Sequence, residues 1–464
     1  MHRHDPSIAR LADHALDYAL ERVRMDPVPL DAPKSYEELH AAVGETITPD
    51  GIGGDKALQL FVDVLAPACI SVDHPRFFAF IPGAPTEASV IFDMVVSASS
   101  IYTGSWLEAS GAVYAENQAL RWLADLAGFP ESAGGVFVSG GTSGNLSGLI
   151  AARHRWRTRT EGRHDRTRGA ILASRSAHSS VVQAARAMDA DVLDVPVDER
   201  GRLLGSALRS TIDALSQDDR DRVFAVVATG GTTNVGVIDD LRGVADVCER
   251  EGIWFHVDGA YGLAALCAPS VRELFVGIER ADSFIVDPHK WLFGPFDCCA
   301  LVYRNVHDGR RAHTQHAEYL DVLHGGESES GPWLEMNPAD MAHHLSRRAR
   351  GLPVWFSLAT HGTRAYTDAM EMTLDVARQA VDEVRRRPDL ELVLESDLTV
   401  IVFRRLGWSP EQYAAWSDHE LATGHSFVVP TTWRGETVLR LCIVNPRTTI
   451  DDVRAVFDAL EQLT

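Results

Sequence analysis

The feature that most constrains the fold is a series of short, almost continuously apolar runs between about residues 80 and 305. They alternate with stretches of helical spacing and cover Gly135–Ser139, Gly169–Ala173, Val223–Ala228, Ile253–Val257, Ser283–Val286 and Ala300–Tyr303. Strands that are apolar on both sides are buried on both faces of a sheet, which is typical of parallel sheets covered by helices. We therefore predict an α/β fold with a mostly parallel sheet and helices on both of its faces.

Helical patterns flank this α/β region. On the N-terminal side they predict helices over residues 8–25 and 56–67, which either embrace a partner subunit or lie on the surface. On the C-terminal side the pattern is α+β, with predicted elements over 366–387, 398–404, 438–444 and 450–463.

The length of the chain, 464 residues, is too great for one ordinary core. We predict a helical N-terminal segment (1–80) at a dimer interface, a large α/β domain (81–355) and a small α+β C-terminal domain (356–464). Within the large domain, residues 306–332 are polar, charged and glycine-bearing. A loop of this length is uncommon in a compact domain, and we expect it to be a mobile lid.

Composition narrows the classes of function. The formal charge is 44 − 65 = −21, which disfavours binding to nucleic acid or to anionic membranes. A basic cluster at Arg153–Arg168 is either a solvated helix end or a local anion site. No C-x-x-C pair, signal core or apolar run of about 18 residues occurs, so we expect a cytoplasmic protein.

A lysine follows one of the buried strands directly. Residues 283–298 read SFIVDPHKWLFGPFDC, so Lys290 stands at a strand end among apolar residues. Desolvation there is expected to lower the pKa of the amine, and a neutral amine can attack an aldehyde to form a Schiff base. The alternative is a lysine that extends from a hydrophobic edge into solvent.

A carboxylate ends the preceding strand, in residues 253–261, IWFHVDGAY. Asp258 precedes Lys290 by about one crossover unit, so both are expected at the carboxyl edge of neighbouring strands. Such a carboxylate can pair with the ring nitrogen of pyridoxal phosphate (PLP), and the small Ala260 would let a flat ring lie close. A helix N-cap is the alternative reading of Asp258.

Three further turns follow strand ends. The run GGVFVSGGTSGNLSGL suits a phosphate at a helix start, with the hydroxyls of Thr142 and Ser143. His178 could stack on a cofactor ring, and Thr232 could bond to a ring substituent. For each of these turns the alternative interpretation is purely structural, namely a helix start or a capped turn. No pattern typical of a metal site occurs.

Together these motifs resemble the group II PLP-dependent decarboxylases, the family of aromatic-L-amino-acid and glutamate decarboxylases. The matching segments, spread over roughly residues 50–460, are His74-Pro75, Gly141-Thr142-Ser143, Ala177-His178-Ser179-Ser180, Gly231-Thr232-Thr233, His256-Val257-Asp258, Pro288-His289-Lys290-Trp291 and Val438-Leu439-Arg440. The resemblance implies fold type I and a homodimer with active sites at the subunit interface.

The same resemblance assigns roles to residues. Lys290 would hold PLP as a Schiff base, Asp258 would pair with the pyridine nitrogen, and His178 would stack on the ring. Thr142, Ser143 and His289 would hold the phosphate.

In the lid, Glu318-Tyr319-Leu320 resembles the family's mobile-loop segment, whose tyrosine protonates Cα after CO₂ leaves. Some relatives with phenylalanine at this position form an aldehyde instead, so Tyr319 favours simple decarboxylation to the amine.

The predicted substrate is an L-amino acid with an aromatic or bulky hydrophobic side chain. Phe80, Tyr102 and Trp106 fall where the resemblance places the substrate pocket, and aromatic walls favour such side chains. Ser346 resembles a serine that marks phenolic preference in plant relatives.

Two features depart from the family pattern, and several alternatives stay open. Asp287 stands where the family usually has asparagine, and the run FFAFIPGAPTEAS is unlike the aromatic subgroup's. The alternatives are a glutamate or aspartate decarboxylase, an aldehyde-forming oxidative decarboxylase, a transaminase or lyase of the same fold, and a dimeric binding protein without activity.

Overall fold

The computed structural model describes residues 6–160, 167–315, 318 and 335–462. Its α-helices in chain order are α1 (Pro6–Arg24), α2 (Tyr36–Val43), α3 (Gly54–Leu60), α4 (Glu87–Ser99), α5 (Trp106–Leu126), α6 (Gly141–Arg159), α7 (Ser179–Ala187), α8 (Gly205–Ala214), α9 (Gln217–Asp221), α10 (Leu241–Glu251), α11 (Val306–His313), α12 (Leu352–Arg386), α13 (Pro410–Ala422) and α14 (Ile450–Gln462). Its β-strands are β1 (Gly134–Val138), β2 (Ala170–Ala173), β3 (Asp191–Asp194), β4 (Val223–Thr229), β5 (Trp254–Asp258), β6 (Ser283–Val286), β7 (Cys299–Tyr303), β8 (Leu390–Leu394), β9 (Val400–Arg405), β10 (Thr431–Trp433) and β11 (Glu436–Cys442).

Within the described residues, seven strands form one sheet in the order β1-β7-β6-β5-β4-β2-β3. Strand β7 runs antiparallel to both of its neighbours, and the other strands run parallel to one another. This confirms the predicted α/β class and mostly parallel sheet, together with the six strands read from apolar runs. Strand β3 was not predicted because it is a half-exposed edge strand with an aspartate at each end.

Alternating residues of the central strands pack into two separate apolar clusters, one on each face of the sheet. In β6, Phe284 and Val286 join one cluster, whereas Ile285 joins the other. The same division separates Val226 from Val227 in β4. Because successive side chains of a strand point to opposite faces, both faces are covered by apolar residues.

A second sheet, within the part of the chain that the structure describes, contains four antiparallel strands in the order β10-β11-β9-β8. The two strands predicted there correspond to β9 and β11, whereas β8, β10 and helix α13 were not predicted. Helix α12 begins at Leu352, fourteen residues before its predicted start at Tyr366, and it bends at Gly362, where φ is 75°. The proposed domain boundary at 355/356 therefore falls within the first turn of α12 and remains a proposal.

The segment predicted as a loop begins with a helix. The loop prediction for residues 306–332 is wrong at its beginning, because residues 306–313 form helix α11. Side chains of helix α11, including that of His313, are buried against the rest of the protein. The polar sequence of this segment does not reveal that burial. Nearly all of the remaining lid lies outside the described residues. None of the helices described is both long and apolar enough to span a membrane.

Candidate active site

A cavity of about 370 Å³ lies at the carboxyl edge of the large sheet. Strands β4 and β5 bring their last residues, Thr229 and Asp258, to this edge, and Asp287 follows β6 directly. Parallel strands with helical crossovers leave a crevice at their carboxyl ends, which is where such sheets place ligands. The residues that line the cavity are Ser139, Gly140, Gly141, Thr142, Asn145, His178, Ser180, Thr229, Gly231, Thr233, Asp258, Ala260, Tyr261, Asp287, His289, Lys290, Phe296 and Asp297.

Lys290 stands at the end of a tight turn after β6, in which its backbone N–H donates to Asp287 O at 2.9 Å. About a quarter of its side chain (24%) remains accessible, so a ligand in the cavity can reach the amine. The expected fall in the pKa of this amine is wrong. Burial is the largest influence and favours the neutral amine, but the Asp287 carboxylate, with Oδ2 at 2.9 Å from Nζ, together with smaller contributions from Asp258 and Cys299, outweighs it and raises the pKa above its usual value.

His289 lies on the other side of the same carboxylate, with Nε2 at 3.6 Å from Asp287 Oδ2. Its Nδ1 accepts a hydrogen bond from the backbone N–H of Cys298 at 3.0 Å, which leaves the ring proton on Nε2. Burial lowers the pKa of His289. A side chain added at Gly140 would come within 3.9 Å of this ring, so His289 faces the glycine-rich turn across the cavity.

Asp258 is held by a buried amide that the sequence analysis did not identify. Asn145, in the second turn of α6, donates from Nδ2 to Asp258 Oδ2 at 2.8 Å, and the backbone N–H of Ala260 donates to the other carboxylate oxygen at 3.2 Å. Asn145 Oδ1 accepts from His256 Nε2 at 2.9 Å. Burial lowers the pKa of His256 to about 4, so this ring is neutral. The carboxylate is therefore fixed by donors and faces no competing acceptor in this network.

The same amide fixes the ring of His178. Asn145 Nδ2 also donates to Ser180 Oγ at 2.8 Å, and this hydroxyl lies 2.9 Å from His178 Nδ1. The backbone N–H of Ser180 donates to Nδ1 as well, at 3.2 Å. Since Nδ1 is an acceptor, the proton of His178 is on Nε2. One asparagine thus connects the carboxylate and the imidazole, both of which line the cavity.

The glycine-rich turn joins β1 to α6 and presents the start of a 19-residue helix to the cavity. Packing is tight here, because a Cβ at Gly141 would lie 3.3 Å from Asp287 Oδ2 and 3.4 Å from Ala260 Cβ, and these neighbours would have to move by a few tenths of an ångström. Thr142 lines the cavity as predicted. Ser143 does not, and its hydroxyl lies 3.0 Å from that of Ser139 instead.

The turn after β4 differs in detail from the prediction. Gly231 and Thr233 line the cavity, whereas Thr232 does not. The hydroxyls of Thr229 and Thr232 are buried and have no hydrogen-bond partner among the described residues. Thr229 lines the cavity, so its hydroxyl is available to a ligand.

The four residues predicted for the substrate pocket do not line the cavity of a single chain. Phe80 is 62% exposed, and its ring lies 6.1 Å from that of Phe427. Tyr102 donates its hydroxyl to Leu345 O at 3.4 Å, and Ser346 is exposed. The backbone N–H of Trp106 donates to Asn337 Oδ1 at 2.9 Å. Tyr319 lies outside the described residues.

Several cavity residues were missed from sequence. Asn145 lies within the quoted glycine-rich run and Ser180 is the last residue of the motif at 177–180, but neither was given a role there. Phe296 and Asp297 have no comparable signal, because they reach the cavity through the fold of the segment after Lys290.

The residues present fit PLP. The cavity volume is in the range of cofactor sites, and its walls carry a reachable amine, a fixed carboxylate, an imidazole and a helix start. The unpartnered hydroxyl of Thr229 adds a buried donor that a bound molecule would satisfy.

Comparison with known proteins agrees with this chemistry. The family model described as the pyridoxal-dependent decarboxylase conserved domain matches residues 51–406. An aromatic-L-amino-acid decarboxylase of Bacillus atrophaeus is 32% identical over 409 residues, which cover 84% of this chain and 82% of the relative. An L-2,4-diaminobutyrate decarboxylase of Acinetobacter baumannii is 26% identical over 447 residues, covering 90% of this chain and 86% of the relative.

The fold has a counterpart in a crystal structure of Oryza sativa TDC with PLP and tryptamine. The two structures superpose with a TM-score of 0.87 at 25% sequence identity, over 99% of each chain. With the family model covering more than half of the sequence, the chain belongs to the pyridoxal-dependent decarboxylase family and is a PLP-dependent carboxy-lyase that acts on an amino acid.

Proposed function

We propose that this enzyme decarboxylates an L-amino acid with an aromatic or bulky hydrophobic side chain, releasing CO₂ and the amine. The observation that carries this proposal is the aromatic mouth of the cavity. Phe296 lines the cavity and is 54% exposed, and Gly83 packs beside it so closely that a Cβ there would lie 3.3 Å from its ring. Exposed aromatic surface at a cavity mouth favours an apolar side chain.

Phe80 is a second exposed aromatic residue, close in sequence to this site. It precedes Gly83 by three residues, and its φ of 51° is uncommon for a bulky residue. Such conformations persist where the surroundings require them, often at ligand sites. The conformation places a large ring on the surface beside Phe427, where it is available to a substrate or a second subunit.

Three carboxylates among the described residues line the cavity, namely Asp258, Asp287 and Asp297. Asp287 and Asp297 engage the cations Lys290 and Arg350, so an acidic substrate side chain gains little attraction in this cavity. This favours the aromatic substrate over glutamate or aspartate. It also makes a cationic side chain the second candidate, as in the diaminobutyrate decarboxylase of Acinetobacter, although Asp297 is already paired with Arg350 at 2.8 Å.

In this proposal PLP, when bound, supplies the electron sink that accepts the electrons of the broken Cα–carboxylate bond. Lys290 provides the amine for covalent attachment. Asp258, held by Asn145 and the Ala260 N–H, pairs with the ring nitrogen and keeps a proton on it. His178 covers one face of the ring with its Nε2–H directed by the Ser180 contact.

The phosphate is assigned to the start of α6. Its free backbone N–H groups attract an anion, and Thr142 and His289 line the same part of the cavity. Ser143 and Thr232 remain proposed contacts whose hydroxyls would have to turn toward the cofactor. Tyr319 remains the proposed donor of the proton to Cα, worth about 10²–10⁴ in rate as a positioned general acid.

We further propose a cytoplasmic homodimer with shared active sites. Helices α4 and α5 expose large apolar side chains, among them Val95, Leu107 and Tyr114. Contiguous exposed apolar surface marks an interaction site. Tyr102 and Trp106 lie between these helices or at their edge, so a second subunit here would complete a substrate pocket that one chain leaves open.

The test is a substrate panel with the purified, PLP-loaded enzyme. L-Tyrosine, L-phenylalanine, L-tryptophan, L-glutamate and L-2,4-diaminobutyrate are compared by released CO₂ and by amine, with the Lys290→Ala variant as control. We expect CO₂ with one equivalent of amine from an aromatic substrate and none from Lys290→Ala. Turnover of glutamate alone would overturn the substrate assignment, and an aldehyde product would overturn the role of Tyr319.

A further inference from the structure

Asp287 is the one motif residue that departs from the family pattern and contacts the attachment lysine. It is 2% exposed, and its Oδ2 lies 2.9 Å from Lys290 Nζ and 3.6 Å from His289 Nε2. A buried carboxylate without a cationic partner is disfavoured, and Asp287 Oδ1 has no hydrogen-bond partner among the described residues, so the ammonium of Lys290 stabilises this placement. An asparagine here could accept one hydrogen bond but would leave that ammonium uncompensated.

We propose that Asp287 is a positioning residue and the counter-ion of Lys290, holding its nitrogen protonated both as the free amine and when attached to the cofactor. The proposal rests on the proposed function of Lys290. When the amine must act as a nucleophile, the Asp287 carboxylate is the nearest acceptor for its proton. Once the substrate amine has displaced Lys290, the protonated lysine amine is a poor nucleophile and competes little for the site that the substrate occupies.

Other groups that face Lys290 do not replace Asp287 in this role. The carboxylate of Asp258 is already engaged by two N–H donors. The thiols of Cys299, on β7, and Cys442, on β11, are buried, and burial raises the pKa of each, so both are neutral. His289 adds no negative charge. The direction of the pKa shift of Asp287 agrees with this ion pair. Burial would raise the pKa, yet Lys290 and His289 hold it below its usual value.

The sequence offers a direct assay, because Lys34, Lys56 and Lys290 are the only lysines in the chain. Competitive acetylation of the cofactor-free full-length protein, followed by peptide mass spectrometry, reports the neutral fraction of each amine as a function of pH. An opposite charge at this distance shifts a pKa by about 1–3 units, and each unit is tenfold in the neutral fraction. In Asp287→Asn we expect the reactivity of Lys290 relative to Lys34 to rise at least about tenfold at pH 8.

The matched control is Asp297→Asn, which removes a carboxylate from the same cavity, paired with Arg350 rather than with Lys290. It should change the reactivity of Lys290 less than about twofold, well under one pKa unit. A second readout uses the holoenzyme: the pH at which its protonated cofactor–lysine absorption band is lost should fall by about one unit or more in Asp287→Asn. A structural role alone would move neither measurement.

The outcomes separate this proposal from the proposed function. An unchanged reactivity of Lys290 in Asp287→Asn, in a protein that binds PLP normally, would overturn the counter-ion role alone. An increased reactivity in a protein that forms no borohydride-stable PLP adduct would establish the ion pair and overturn the role of Lys290. Equal effects of Asp287→Asn and Asp297→Asn would also overturn the proposal, because they would indicate a general field rather than a specific pair.

Discussion

Among residues that are assigned no direct contact with the cofactor, we expect Asn145 to be the one whose loss disturbs the cavity most. Its amide makes three buried hydrogen bonds, with Asp258, Ser180 and His256, at 2.8–2.9 Å. A net worth of about 0.5–1.5 kcal/mol for each of the two neutral bonds and about 1.5–3 kcal/mol for the bond to the carboxylate gives about 2.5–6 kcal/mol for Asn145→Ala. Water that enters the vacated space would place the result toward the lower end.

The assay is urea unfolding of the cofactor-free protein, together with a titration of PLP affinity. The matched control is Asn445→Ala, because Asn445 is equally buried but makes two neutral bonds, to Asp73 O and from the Arg447 N–H, outside this cavity. Its expected cost is about 1–3 kcal/mol.

We expect Asn145→Ala to weaken PLP binding and Asn445→Ala to leave it unchanged. In Asn145→Asp a second carboxylate would face Asp258, raise the pKa of one of the two groups and weaken PLP binding further. The reasoning is refuted if Asn145→Ala costs no more than Asn445→Ala, or if it leaves PLP affinity intact.

Three further predictions concern pH, a buried ion pair and the lid. Burial lowers the pKa of His256 from its usual 6.5 to about 4. Between these two pH values the unfolded chain therefore binds a proton at His256 that the folded protein does not bind. Stability should therefore fall by up to about 3 kcal/mol as pH drops through this window, and His256→Gln should flatten the melting temperature against pH. Arg347→Ala should cost about 3–5 kcal/mol in urea unfolding, because it leaves the buried Glu116 carboxylate, 2.8 Å from the Arg347 guanidinium, without a cationic partner and with the Gly351 N–H as a remaining donor. Arg347→Met with Glu116→Gln should cost less. Tyr319→Phe should lower amine production and raise aldehyde and peroxide, measured together in one reaction.

The ends of the buried strands could be predicted from the sequence because their signal lies within a few consecutive residues. A strand buried on both faces is a short, continuous apolar run, and a charged residue at its end stands out against that run. Parallel strands bring their carboxyl ends to one edge, so Asp258, Lys290 and the glycine-rich turn could be assigned to one cavity without coordinates. The elements that were missed, β3, β8 and β10, are short and partly exposed, and they lack this contrast.

The sequence by itself determined the fold class, the family resemblance and the segments that carry the cavity residues, because each depends on patterns within a few residues of one another. Only the tertiary structure decided how those residues act on each other. Asn145 reaches Asp258 across 113 residues of chain. Lys290 illustrates the same limit: burial alone predicts a lowered pKa, whereas the distance to Asp287 reverses the direction. Electrostatic energies depend on separations of a few ångströms between groups, and folding fixes those separations.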